Sequence, residues 1–165
     1  MGPCFATEIL TDSSLAARSP LSPSVGVPLL TTMVAPSETV MRITVNSSDA
    51  PAAIGPYSQG VKYAGLLWCS GQLGLLPATG VFAGDTTVLQ AEQALRNLSA
   101  ICREAGTSLT KALRCTIYLI DLADFAAVNK IYESYFEAPY PARATVQVAA
   151  LPKGGRVEID AVVAL

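Results

Sequence analysis

Histidine is absent from the 165-residue chain, and no other feature of the sequence removes as much chemistry. Ser-His-Asp and Cys-His nucleophiles are excluded, as are the usual zinc sites with histidine ligands. The cysteines, Cys4, Cys69, Cys102 and Cys115, form no Cys-x-x-Cys pair. The last three lie in apolar surroundings and read as small buried hydrophobes in a reducing compartment, not as disulfides or metal ligands. Charge is also sparse: 15% of residues are charged, with a formal net charge of −2 and no basic cluster. Nucleic-acid binding rests on several Lys/Arg contacts to phosphates, so no nucleic-acid partner is expected, and the same argument disfavours a membrane surface. No apolar run reaches the roughly 18 residues that a spanning helix needs, which sets the expectation of a soluble protein.

What the chain does contain is apolar material, 51% of residues, enough to build the core of one domain. Residues 1–40 are of a different kind, rich in Ser, Thr and Pro, with Pro3, Pro20, Pro23, Pro28 and Pro36 breaking any sustained pattern. They read as a flexible extension, and the globular domain is expected over 41–165. Arg18 and the hydroxyl-rich composition suit an organelle transit peptide, while Glu8, Asp12 and Glu38 do not. The expected location is therefore cytoplasmic, with mitochondrial import through the extension as the alternative.

Within the domain, alternation predicts a short strand over 41–45 and a hairpin of strands over 61–63 and 66–70 around Ala64-Gly65. Between them, residues 50–60 are too rich in Gly and Pro for a regular element and read as an ordered loop. Tyr57 in that loop can offer a hydroxyl or ring to a site, or pack on a rim. Ser70 and Gly71 close the second strand, the serine as a turn hydroxyl and the glycine permitting close backbone approach. Thr86 or Thr87 caps a predicted helix over 88–105 with an apolar stripe that includes Leu89, Ala91, Leu95 and Leu98, stopped by Gly106. A strand over 112–120, with Leu113, Cys115, Ile117 and Leu119 on one face, precedes a helix over 122–136 capped by Asp121. In that helix Phe125, Val128, Ile131, Tyr132, Tyr135 and Phe136 form the expected buried stripe. Asn129 lies close beside it and must find a hydrogen-bond partner. The order β, ββ, α, β, α, ββ predicts an α+β layer, a mixed sheet covered on one face by both helices. The strands carry so few charges that the other face is expected to be buried in a homo-oligomer.

The stretch 141–160 organises the rest. Apolar and β-branched residues over 144–151, turn chemistry at Pro152-Lys153-Gly154-Gly155 and alternation from Val157 to Ala161 predict a β-hairpin. Arg143 and Glu158 then stand against partly buried surface, where an unpaired charge is costly. They either serve a site, pair with each other, or lie on a solvated face. In hairpin register Glu158 falls opposite Gln147 or Ala149, leaving Arg143 roughly 13–20 Å away at about 3.3 Å per residue. If both serve one site, two chains must build it.

Ala-Pro-Ala-Ala-Ile-Gly-Pro-Tyr-Ser-Gln-Gly at 50–60, Ser-Gly-Gln at 70–72, Phe-Ala-Ala-Val-Asn at 125–129 and the 141–160 block resemble the reactive-intermediate deaminase family, also called the Rid or YjgF family, over about 45–165. The resemblance implies a chorismate-mutase-like α+β fold with a mixed six-stranded sheet, a homotrimer whose sheets line a central barrel, and sites at the subunit clefts. It implies hydrolysis of 2-imino acids and their enamine tautomers, released by pyridoxal-phosphate enzymes, to 2-oxo acids and ammonia, with no cofactor and no metal. By position, Arg143 resembles the arginine that grips the substrate carboxylate, and Glu158 the acid that orients water or manages its proton. Tyr57, Ser70, Gly71, Asn129 and Thr145 match cleft positions. The family also carries alternatives, ribonuclease or translation inhibitor on one side and chaperone-like binding on the other. The acidic balance speaks against the first of these.

Overall fold

A computed structural model describes residues 41–165; the expectations placed on residues 1–40 lie outside the described residues. The elements are β1 (Ile43–Val45), β2 (Gly60–Tyr63), β3 (Leu66–Leu73), α1 (Thr87–Glu104), β4 (Ala112–Leu119), α2 (Phe125–Glu133), β5 (Ala142–Gln147) and β6 (Val157–Ala164), the order predicted from the sequence. All strands join one mixed sheet in the order β1-β2-β3-β6-β4-β5.

The hairpin over 141–160 does not form. β5 pairs in parallel with β4, Cys115 beside Arg143 and Tyr118 beside Val146, while β6 lies antiparallel between β3 and β4. β4 therefore separates the two strands expected to be neighbours. Patterning and turn chemistry specify two strands and a chain reversal; they do not say which strand each one meets. The parallel pair is joined through α2, the crossover that parallel strands require. The reversal itself occurs where expected, as a 3₁₀ turn over Pro152–Gly154, but β5 ends at Gln147, short of the predicted 151.

Alternation on β6 sets the core. Val157, Ile159, Ala161 and Val163 are buried and face the helices, whereas Glu158, Asp160, Val162 and Ala164 face the other way. α1 packs over β3 and β6 and against α2. It is capped by Thr86, whose hydroxyl accepts from the Leu89 amide at 3.3 Å. Its stripe is shifted from the prediction: Leu89 is exposed, and Gln90 is buried in its place, donating to the Gly84 carbonyl and accepting from the Arg156 amide. Fully buried Asn97 donates to the carbonyls of Leu73 and Leu75 and accepts from Gln93, so none of its polar atoms is orphaned.

Two other expectations fail for local reasons. A register shift between Ala112 and Arg114 turns Leu113 outward, so it is exposed while Cys115, Ile117 and Leu119 stay buried. The helix predicted over 122–136 is shorter, because Asp121 accepts from the Ala123 amide and closes a 3₁₀ turn over Leu122–Asp124 before α2 begins. After Glu133 the amides of Ser134, Tyr135 and Phe136 bond three residues back, which tightens the last turn. Of the predicted stripe, Val128, Tyr132 and Phe136 are buried and Phe125 is not. Cys69, Cys102 and Cys115 are free and buried, as expected.

The sheet face away from the helices carries an exposed apolar patch. Trp68, the only tryptophan, is 51% exposed, with Tyr63 also exposed and Val61, Leu66 and Val162 half-buried beside it, while Thr116, Glu158 and Asp160 face the same way further along the sheet. An exposed apolar patch of this kind, centred on Trp68 and bordered by polar residues, is characteristic of an interaction surface.

Candidate active site

The structure gathers the predicted site residues into two groups rather than one. The first is built on α2 and β5. Phe125, Asn129 and Tyr132 stand four and seven residues apart, so one face of α2 presents all three, and β5 brings Arg143 beneath that face. Arg143 Nη1 donates to Asn129 Oδ1 at 2.8 Å. Its guanidinium carbon lies 4.7 Å from the Tyr132 ring centroid and 5.6 Å from that of Phe125, within range of cation–π attraction. Thr145 follows on the same face of β5, beside Ile117, and its buried hydroxyl has no partner. Arg143, Asn129, Tyr132, Glu133, Tyr140 and Pro141 line an open cavity of about 260 Å³. A guanidinium whose back edge is tied to an amide keeps its other N–H donors in a planar fork, the geometry that matches a carboxylate.

The second group is built on β3, β6 and the loop before β2. The β3–β6 register shifts between Cys69 and Gln72, which sets Ser70 and Gly71 out of the regular ladder. Ser70 donates its hydroxyl to the Ser58 carbonyl at 2.7 Å and its amide to the Gln59 carbonyl at 2.9 Å, so the loop bearing Tyr57 is tied to the bulge. Ser70 is thus the turn hydroxyl that the sequence suggested. Buried Gln59 anchors the same loop from the other side: its amide oxygen accepts from the Ser47 amide at 2.6 Å, and its nitrogen donates to the carbonyls of Ser47, Ala50 and Pro51. The sequence reading assigned Gln59 no role; a lone amide in a Gly/Pro-rich segment was the available signal. Tyr57 remains half in solvent, at 48% exposure.

Glu158 lies directly against Gly71, since a β-carbon added there would meet the Glu158 carboxyl carbon at 2.8 Å. Glycine is required by this close approach, not by backbone conformation. Gly71→Ala is accordingly expected to leave the melting temperature within a few degrees of wild type, because the atoms in the way belong to the end of a flexible side chain. Turnover should fall about tenfold or more as the carboxylate is displaced. Thermal melts and steady-state rates on one preparation check both; unchanged turnover would detach Glu158 from the chemistry.

Burial, aided by the nearby Asp160 carboxylate, raises the Glu158 pKa above its ordinary value. The folded chain then binds that proton more tightly than the unfolded chain does. Stability is lost as pH rises from the ordinary value near about 4.3 towards the raised one, and the loss is complete above it. Asp160 itself accepts from the Tyr118 hydroxyl at 3.0 Å and the Thr116 amide at 3.2 Å. Cys69, Cys102 and Cys115 are all buried, and burial pushes the Cys115 thiol up to about 11; the mutual hydrogen bond of Cys69 and Cys102 raises the first and lowers the second, but neither is open to a substrate.

Within one chain the two groups do not meet. Arg143 is level with Cys115, and Glu158 with Tyr118 three residues along β4, so they sit two strand spacings and three residues apart, roughly 14 Å between α-carbons. Cys115 is buried on the helix side and Tyr118 faces away from it, which places Arg143 and Glu158 on opposite faces of the sheet. The separation inferred from the hairpin register is real, but it arises from a different strand order.

The family model described as endoribonuclease L-PSP matches residues 47–165. A RutC family protein, y4sK, of Sinorhizobium fredii is 54% identical over 121 residues, 73% of this chain and 96% of its own. A 2-iminobutanoate/2-iminopropanoate deaminase of Capra hircus is 48% identical over 123 residues, 74% of this chain and 90% of its own. The crystal structure of RidA from an Antarctic Psychrobacter superposes with a TM-score of 0.72 at 46% identity, covering 74% of this chain and 99% of that one, and the shared fold is chorismate-mutase-like. On a family match over residues 47–165, which takes in every strand but β1, relatives near half identity and a common fold, the chain belongs to the endoribonuclease L-PSP family, the same reactive-intermediate deaminase family that its motifs resemble.

Proposed function

We propose that the chain is a 2-iminobutanoate/2-iminopropanoate deaminase that works at clefts shared between subunits of a homotrimer. The observation that carries the reading is the division of its polar residues into two half-sites on opposite faces of one sheet. Arg143 with Asn129 and Thr145 is equipped to hold a carboxylate; Glu158 with Gly71, Ser70 and Tyr57 is equipped to handle water. The apolar patch around Trp68 gives the chains a reason to associate, and because β5 is an edge strand, seating that edge against a neighbour's open face would bring one chain's Arg143 group to the next chain's Glu158 group. Relatives named as deaminases of these imino acids support the substrate class.

The reaction asks little of the protein. An imine carbon is already electrophilic, and orientation, one carboxylate and a charge clamp supply what is missing. Arg143 anchors the substrate carboxylate. The Glu158 carboxylate accepts a proton from water as the water oxygen bonds to the imine carbon and passes it to the nitrogen, giving the neutral carbinolamine; the carbinolamine hydroxyl then gives its proton to the nitrogen through the same carboxylate as the C–N bond breaks, releasing the 2-oxo acid and ammonia. No redox change occurs, and the net reaction adds water and releases ammonia.

The decisive experiment generates 2-iminobutanoate with a threonine dehydratase and follows imine loss with and without this chain. No acceleration by the chain would remove the assignment. Glu158 adds a pH signature. Because its carboxylate form does the work and its pKa is raised, kcat/KM is expected to fall on the acid side with a midpoint above the ordinary carboxylate value of about 4.3. Glu158→Gln should abolish that limb and lower turnover, leaving the affinity for a 2-oxo acid nearly unchanged. An identical acid limb in the variant would assign it to another group.

A further inference from the structure

We propose that Phe125 and Tyr132 are positioning residues for Arg143: their ring faces hold the guanidinium plane, so that Asn129 need only fix its rotation. The proposal rests on the deaminase reading above for its consequence, though not for its geometry. Arg143 is solvent-exposed at the sheet edge, and a long side chain in that position ordinarily samples many rotamers. Here one hydrogen bond and two rings constrain it. All three partners come from one face of α2, at 125, 129 and 132, so the helix acts as a single template.

The Tyr132 ring is in turn held in place. Tyr132 is 4% exposed, with its ring centroid 4.4 Å from that of Phe136, and its hydroxyl is buried without a partner, its pKa raised first by burial. The hydroxyl's buried neighbour is the Cys115 thiol, a weak partner at best, and it is the ring that faces Arg143. Phe125 explains itself in the same way: it is 39% exposed although it opens an amphipathic helix, and it lies over the guanidinium instead of joining the core. Preorganising a donor fork stabilises the bound carboxylate by removing rotamer freedom that binding would otherwise have to freeze out.

The test uses Phe125→Leu, Tyr132→Leu and Tyr132→Phe in the full chain, with two readouts. The first is the Arg143 side-chain resonances in ¹⁵N NMR, assigned by their loss in Arg143→Ala. In the wild type they should show upfield ring-current shifts and slow guanidinium rotation; both leucine variants should lose part of each, and Tyr132→Phe, which keeps the ring, should not. The second is calorimetric affinity for 2-oxobutanoate alongside KM and kcat in the coupled assay. Phe125→Leu should raise Kd and KM about threefold to fivefold with kcat little changed.

In an Arg143→Ala background Phe125→Leu should add nothing, because it acts through the arginine. Unshifted Arg143 resonances in both leucine variants, or a Phe125→Leu effect that persists without Arg143, would overturn the proposal. If Arg143→Ala leaves 2-oxobutanoate affinity intact, the deaminase reading fails, and the resonance shifts alone then decide for or against the clamp.

Discussion

Two variants that are each nearly inactive should recover activity when their chains assemble together. On the proposed deaminase reading, Arg143→Ala removes the carboxylate anchor from one half-site, and Glu158→Gln removes the proton acceptor from the other. Since the two residues sit on opposite faces of the sheet and two strands apart, a working cleft must draw them from different chains. In a trimer assembled at random from equal amounts of the two variants, a cleft is intact when its arginine comes from a Glu158→Gln chain and its glutamate from an Arg143→Ala chain. That condition holds for about one site in four in a closed ring of identical heterologous interfaces. The mixture should therefore reach about a quarter of wild-type activity, well above either variant by itself. Co-refolding or co-expression, followed by light scattering to confirm three chains and by the coupled assay, makes the measurement. A mixture no more active than its components would place both residues in one chain's site, and a stable active monomer would remove the shared cleft altogether.

The second large effect belongs to Arg143→Ala on its own. A hydrogen bond to a charged group contributes about 1.5–3 kcal/mol net, and each 1.4 kcal/mol is about tenfold, so kcat/KM should fall roughly 10- to 150-fold. The fold should survive. Arg143 is exposed, and its removal forfeits one hydrogen bond to Asn129 and two partly solvated ring contacts, a loss of about 1 kcal/mol and a few degrees of melting temperature. Arg143→Lys should regain only part of the activity, because an ammonium restores the charge without the planar fork. Full activity in Arg143→Ala would reduce this arginine to a structural charge at a strand end.

The candidate site was legible in the sequence to the extent that its chemistry is carried by residue type. The lack of histidine removed the common nucleophiles, Arg143 and Glu158 stood out as charges in apolar strands, and Asn129 as an amide beside a buried stripe. Phe125 and Tyr132 were visible too, but only as members of that stripe. A 3.6-residue period says that two rings share a helix face; whether that face meets other hydrophobes or a guanidinium depends on what the neighbouring strand brings underneath. Gln59 and the hydrogen bonds tying Ser70 to the loop were hidden for a related reason, since an amide that holds a loop of Gly and Pro has no periodicity to announce it.

From the sequence by itself came the element order, the inward residues of β6 and most of those of β4, the reversal at 152–155, a threonine cap at 86 or 87 and the family motifs, most of them set by interactions between residues close along the chain. Only the tertiary structure decided that β4 lies between β5 and β6, that a bulge turns Leu113 outward, that Gln90 replaces Leu89 in the core, and that Arg143 and Glu158 occupy opposite faces. Strand neighbours are chosen by which apolar faces fill the space under the helices together. That choice depends on all strands at once and leaves no mark in the alternation of any one of them.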